Sequence, residues 1–187
     1  MYYNPFSPQC YYYVTVPMYN DGRSVCWSIP NEMEHVHRCA DLRSSYEDRN
    51  LLLKDYEISK PFVVNINRAT KQNHTFRTAL WTGKHLQVTL MSLGIGEDIG
   101  LEIHPNVDQF LRIEQGRGIV KMGKSKDHLN FQRNVYDDYA IIVPAGTWHN
   151  VINTGNTPLK LYSIYAPPNH PFGTVHKTKA DAVVAED

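Results

Sequence analysis

The chain has 187 residues, 42% hydrophobic and 11% aromatic, which is enough for one domain with an extension and a sizeable core. Nineteen basic residues balance nineteen acidic ones and the pI is near 7.1, which argues against a nucleic-acid binder held by phosphate contacts along a basic face. No apolar run reaches the roughly 18 residues of a membrane span, and the first basic residue, Arg23, is followed by no apolar stretch of the kind a signal peptide carries.

Residues 1–30 interleave Tyr2, Tyr3, Tyr11, Tyr12, Tyr13 and Tyr19 with Pro5, Pro8 and Pro17. Prolines at that density prevent a helix, so the segment reads as an extended arm. Residues 31–58 read as helical: Ser44 and Glu47 form a capping-box pair, and Leu51, Leu52 and Tyr56 make an apolar stripe. Together, residues 1–58 are expected to form an N-terminal extension with a short helix. Cys10, Cys26 and Cys39 are odd in number and irregular in spacing, which gives no disulfide framework and points to a reducing, cytoplasmic setting. The run Glu34 to Cys39 holds His35, His37 and Cys39. No partner pair at zinc-type spacing follows them, so they read as surface or packing residues.

From Pro61 the pattern alternates with a period of two. Phe62–Asn67, Thr75–Thr82 and Leu86–Leu93 read as strands, the last two joined by a tight Gly83-Lys84 turn. Gln109–Glu114 and Arg117–Met122 flank Gly116, Gly123–Asn134 is a polar hairpin excursion, and Tyr139–Val143, Trp148–Asn153 and Leu159–Tyr165 follow. Short strands at such intervals predict a sandwich or barrel over residues 59–170, with residues 171–187 as a tail across one mouth.

Polar residues at regular spacing stand out within that barrel. Glu102 and His104 are two apart and share a strand face, and a turn led by Pro105-Asn106 brings Gln109 back towards them. His149, Val151 and Asn153 share a face after the Pro144-Ala145-Gly146 turn. Two imidazoles, a carboxylate and an amide oxygen converging inside an apolar barrel predict a divalent metal site on Glu102, His104, Gln109 and His149. Two histidines and one carboxylate favour Fe2+, with Mn2+, Ni2+ or Zn2+ also compatible. Asp108, the rival of Gln109, is expected on the opposite face, and Val135–Asp138 as a solvated edge. Gln87 with Met91, Tyr162 with Ile164, and Arg77 are the candidates for lining the substrate pocket.

The stretches Gly96-x5-Glu102-x-His104-x4-Gln109-x6-Gly116 and Pro144-x-Gly146-x2-His149-x3-Asn153 resemble the two signature motifs of the cupin superfamily. Three residues depart from the pattern: Glu102 replaces a histidine, Gln109 replaces the glutamate, and Asp138 stands where the second motif opens with glycine. The first two changes cancel in charge. The flanks Phe76–Gly83 and Gly173–Lys179 are similar to small bacterial cupins of the mannose-6-phosphate-isomerase-like or dioxygenase type. The resemblance implies an all-β fold, a single double-stranded β-helix (jelly-roll) barrel, and a small-molecule substrate handled at the metal. On that reading the chain is a dioxygenase-like oxidoreductase, with Glu102 as ligand or general base. A sugar-phosphate isomerase would need a phosphate cradle, for which Lys177, Lys179 and Arg77 are the nominees. A non-enzymatic metal- or metabolite-binding module is the third reading; its tyrosine-rich arm resembles, in composition, proteins of bacterial spores. Exposed sheet edges and tyrosines favour a homodimer, with neither nucleic acid nor membrane as partner.

Overall fold

The computed structural model describes residues 52–56 and 60–186. The tyrosine-rich arm, the Ser44 capping box, the three cysteines and the His35/His37 cluster lie outside them. The expected helix over residues 31–58 does not extend through Leu52–Tyr56. That stretch is irregular, with a bend at Lys54 and Tyr56 bridging Trp81 through a 3.1 Å bond from its N–H to the Leu80 carbonyl.

The first regular element, α1 (Ile66–Gln72), corrects the expectation of a strand at Phe62–Asn67. Asn65 caps it, its side chain accepting from the Arg68 N–H, and Ala69 and Thr70 turn inward. A short apolar run suits a strand or a buried helix equally, and the cap decides for the helix. All the strands pair antiparallel. Strands β1 (Arg77–Thr82), β2 (Gln87–Leu93), β3 (Asp108–Gln115), β6 (Ala140–Val143), β8 (Leu159–Ala166) and β9 (Val175–His176) form one sheet in the order β6-β3-β8-β2-β1-β9. Strands β4 (Gly118–Gly123), β5 (Phe131–Val135) and β7 (Trp148–Asn153) form a second, in the order β5-β4-β7. The β1–β2 connection is a four-residue loop, with Thr82 paired to Gln87 and the Gly83 N–H bonded to the Leu86 carbonyl. It is not the tight two-residue turn that Gly83-Lys84 suggested.

Between the two sheets lies the main core, where Met91, Leu93, Leu111, Ile113, Val120, Val151, Leu159 and Leu161 are buried. Removing side chains of this size from water stabilises by about 1.5–3 kcal/mol each. A second cluster covers the outer face of the larger sheet: Ala69, Leu80 and Leu90, with Leu53, Tyr56, Phe62, Val64, Ile66, Val88 and Tyr162 packed on it. The larger sheet is therefore covered on both faces at β1, β2 and β8, while the outer face of β6 is exposed at Ile142. Buried Lys160 fastens α1 from this outer side, its ammonium bonding the Asn73 carbonyl.

The expected C-terminal tail is ordered structure. β9 adds an edge strand beside β1, and α2 (Lys179–Glu186) inserts Ala182 into the main core. Its start is a reciprocal cap: the Thr178 hydroxyl accepts from the Asp181 N–H at 3.2 Å, and the Asp181 carboxylate accepts from the Thr178 N–H at 2.9 Å. Among the described residues, no helix is long and apolar enough to cross a membrane.

Candidate metal centre

Glu102 and His149 are joined at the backbone before their side chains meet. Each donates its N–H to the other's carbonyl at 3.0 Å, forming an isolated antiparallel bridge between the Glu102 segment and β7. The turn that launches β7 is fixed to the same segment. Gly146, at φ 74°, donates its N–H to the His104 carbonyl at 2.8 Å, and Ala145 donates to the Asp108 carboxylate at 2.9 Å. Asp108 is thus an exposed tie for the turn, while Gln109 points inward and is buried.

This backbone frame converges three side chains. Glu102 Oε1 lies 3.4 Å from His104 Nε2 and 3.2 Å from His149 Nε2, and the three donor atoms are all within 4.8 Å of one another. The His149 ring is oriented by its other nitrogen, Nδ1, 3.0 Å from the Thr147 carbonyl. A carbonyl only accepts, so Nδ1 donates to it, and Nε2 is the nitrogen that faces the site. Gln109 is fixed similarly: its Nε2 donates to Ser163 Oγ at 3.0 Å, which leaves Oε1 as the free end. Gln109 pairs with Tyr165 across β3 and β8, and the Tyr165 ring stands edge-on to His104 at 5.6 Å.

Glu102 Oε1, His104 Nε2, His149 Nε2 and Gln109 Oε1 are all buried without a hydrogen-bond partner. The first three stand within charge contact of one another. Orphaned buried acceptors cost about 1–3 kcal/mol each, and a cation at the meeting point of the first three relieves those three at once. The residues present therefore fit a divalent ion. Burial pushes the Glu102 carboxyl up, but the His104 and His149 rings together outweigh it and hold the group at about 2. A carboxylate held that low is an anionic donor and a weak base. Arg77, 1% exposed, adds a positive charge 4.0 Å from Glu102 Oε2.

The remaining pocket candidates separate by face. Met91 is inward and part of the apolar core. Gln87 is inward, but both ends of its amide are engaged: Nε2 donates to Thr82 Oγ1 and to the His170 carbonyl, each at 2.9 Å. Oε1 accepts the His170 N–H at 3.0 Å. Tyr162 belongs to the outer cluster with Leu90 and Val88, so its nomination as pocket lining is corrected. Period-two alternation sends Leu161, Ser163 and Tyr165 inward from β8, and Tyr162 and Ile164 outward. Ser163 and the Thr147 carbonyl, which orient Gln109 and His149, were not singled out from sequence. A serine at an inward position of an apolar strand was the available signal. Asp138 adopts φ 70°, the conformation a glycine at that motif position would supply, and Tyr136 is exposed as expected of an edge, whereas Val135 is buried in the main core and corrects that part of the expectation.

The family described as Cupin domain (Cupin_2) matches residues 89–165. The chain is 93% identical over 187 residues to the Bacillus subtilis (strain 168) protein YrkC, covering 100% of both. It is 45% identical over 115 residues to protein L612 of Acanthamoeba polyphaga mimivirus, covering 61% of this chain and 70% of that one. The crystal structure of BH2720 from Bacillus halodurans superposes with a TM-score of 0.67 at 71% identity, over 67% of this chain and 96% of that one. With both motifs on facing strands of a two-sheet jelly roll and a cupin family match spanning them, the chain belongs to the cupin superfamily.

Proposed function

We propose that this cupin is a metal-dependent, dioxygenase-like oxidoreductase acting on a small anionic organic substrate, an enol, diketone or phenol. The observation that carries the reading is the convergence of Glu102, His104 and His149 donor atoms within 4.8 Å: two imidazoles and one carboxylate, the donor set of non-haem iron oxygenases. Gln109 Oε1 would be a fourth, neutral and displaceable donor. An iron(II) ion held there supplies Lewis-acid and dioxygen-activating chemistry. The chain's own residues supply the rest. Glu102 gives one negative charge against the two of the cation, so an anionic substrate oxygen completes neutralisation where a neutral sugar does not. Thr147 holds the His149 proton away from the site, at Nδ1, and Met91, Leu111 and Tyr165 keep water from the interior.

An isomerase-like reading finds less support. Arg77 is committed beside Glu102, and Lys179 is 2.8 Å from Asp98. The test is dioxygen uptake by iron-loaded protein across small enols, diketones and phenols. We expect uptake that Glu102→Gln abolishes with the fold retained. Iron-loaded protein that stays inert across all three classes refutes the oxidoreductase reading in favour of a binding module.

A further inference from the structure

The segment after β8 is strapped across the barrel rather than trailing from it. Gln87 grips His170 from both sides, accepting its N–H and donating to its carbonyl. Three residues on, the Gly173 N–H donates to Asp55 Oδ2 at 2.9 Å, the oxygen that also accepts from Thr82 Oγ1 at 2.6 Å. Thr82 in turn receives the Gln87 amide. The strap is thus pinned at two linked points, and what it holds in place between Pro167 and Gly173 is the His170 side chain.

That imidazole and the candidate metal centre share one neighbour, the Tyr165 ring. His104 meets that ring edge-on at 5.6 Å, and His170 meets it at 5.0 Å with an interplanar angle of 89°. His170 Nε2 is buried with no hydrogen-bond partner among the described residues. Buried nitrogens without partners are rare, and leaving one costs about 1–3 kcal/mol. A residue clamped by two backbone hydrogen bonds into such a position marks a place where a partner arrives from outside the chain.

We infer that His170 is a substrate-binding residue whose Nε2 hydrogen-bonds a polar oxygen of a small ligand bound beside the Glu102/His104/His149 site, with Gln87 as the positioning residue that holds it there. The inference rests on the metal-site reading above and extends it to the strap. Burial first, and then the charge of Arg77, hold the His170 imidazole down at about 3, against a smaller opposing pull from Glu102. His170 therefore contributes a neutral hydrogen bond rather than a charge. This selects ligands by the position of an oxygen, while the cation and Glu102 select by charge.

The test uses full-length, metal-loaded protein and nitrocatechol, a chromophoric phenolic chelator whose absorbance reports its binding. Metal content is measured on every sample. His170→Phe keeps a ring against Tyr165 and removes the nitrogen. It should weaken nitrocatechol binding about tenfold, the worth of one hydrogen bond, at unchanged metal stoichiometry. Gln87→Ala should weaken binding in the wild-type background and add little to His170→Phe, because both act through one contact. Unchanged nitrocatechol affinity in His170→Phe overturns the assignment, and so does loss of metal in that variant. Fully additive effects of the two substitutions overturn the role of Gln87. Wild-type protein that takes up no metal overturns the reading of the triad, and the His170 assignment with it.

Discussion

Replacing Glu102 with glutamine keeps the side-chain volume and removes the charge that faces His104 and His149. In metal-free protein the consequence is readable as acid stability. The carboxyl is lowered from its ordinary 4.5 to about 2, and each tenfold change in proton affinity corresponds to about 1.4 kcal/mol. The ionised form is therefore favoured in the folded state by about 3 kcal/mol relative to the unfolded chain. The side chain is 15% exposed, so solvent screens this only slightly. The sign follows from the depressed value: the contribution is complete above the unfolded-state pKa near 4.5 and is lost as pH falls towards 2. Urea unfolding of chelator-treated protein through that range should show the wild type losing about 3 kcal/mol more than Glu102→Gln. The difference between the proteins isolates the carboxylate, because both imidazoles are present in each. Parallel loss of stability across the range would refute the reasoning, placing Glu102 outside the influence of the two rings.

Two further substitutions test the frame around the site. Asn153 donates to the carbonyls of Leu93, Gly94 and Thr157 at 3.1, 2.9 and 2.9 Å and accepts from the Gly155 N–H at 2.8 Å. Asn153→Ala should therefore cost about 3 kcal/mol in denaturant unfolding, and a cost below about 1 kcal/mol would show those groups finding other partners. A Cβ on Gly118 would lie 2.6 Å from the Ile152 carbonyl oxygen, so Gly118→Ala should destabilise by about 1–3 kcal/mol. An unchanged thermal midpoint would mean that β4 and β7 move apart without cost.

The site was legible in the sequence because its spacings are strand spacings. A two-residue step places Glu102 beside His104, a Pro-x-Gly turn starts the strand of His149, and the six-residue step to Gly116 in the cupin-like motif favours Gln109 over Asp108. What alternation could not settle was which face of a doubly covered sheet looks inward. On β8 both Leu161 and Lys160 are buried, one in the barrel and one under α1, so Tyr162 was nominated for the wrong side. Gln87 read as pocket lining because its partner, His170, is 83 residues away, beyond the reach of any local pattern. The Phe62–Asn67 segment was ambiguous for the opposite reason: a short apolar run says little until the Asn65 cap is recognised. The helix at Lys179 had a visible signal in Thr178-x-x-Asp181, masked by alanines and charges that also suit a tail.

The central claim is that Glu102, His104 and His149 hold one divalent ion, and elemental analysis of purified, metal-supplemented protein tests it most directly. Wild-type protein should carry one ion per chain, and His149→Ala and His104→Ala should each lose it while remaining folded by circular dichroism. Wild-type protein with no bound metal, or variants that keep a full complement, would contradict the account.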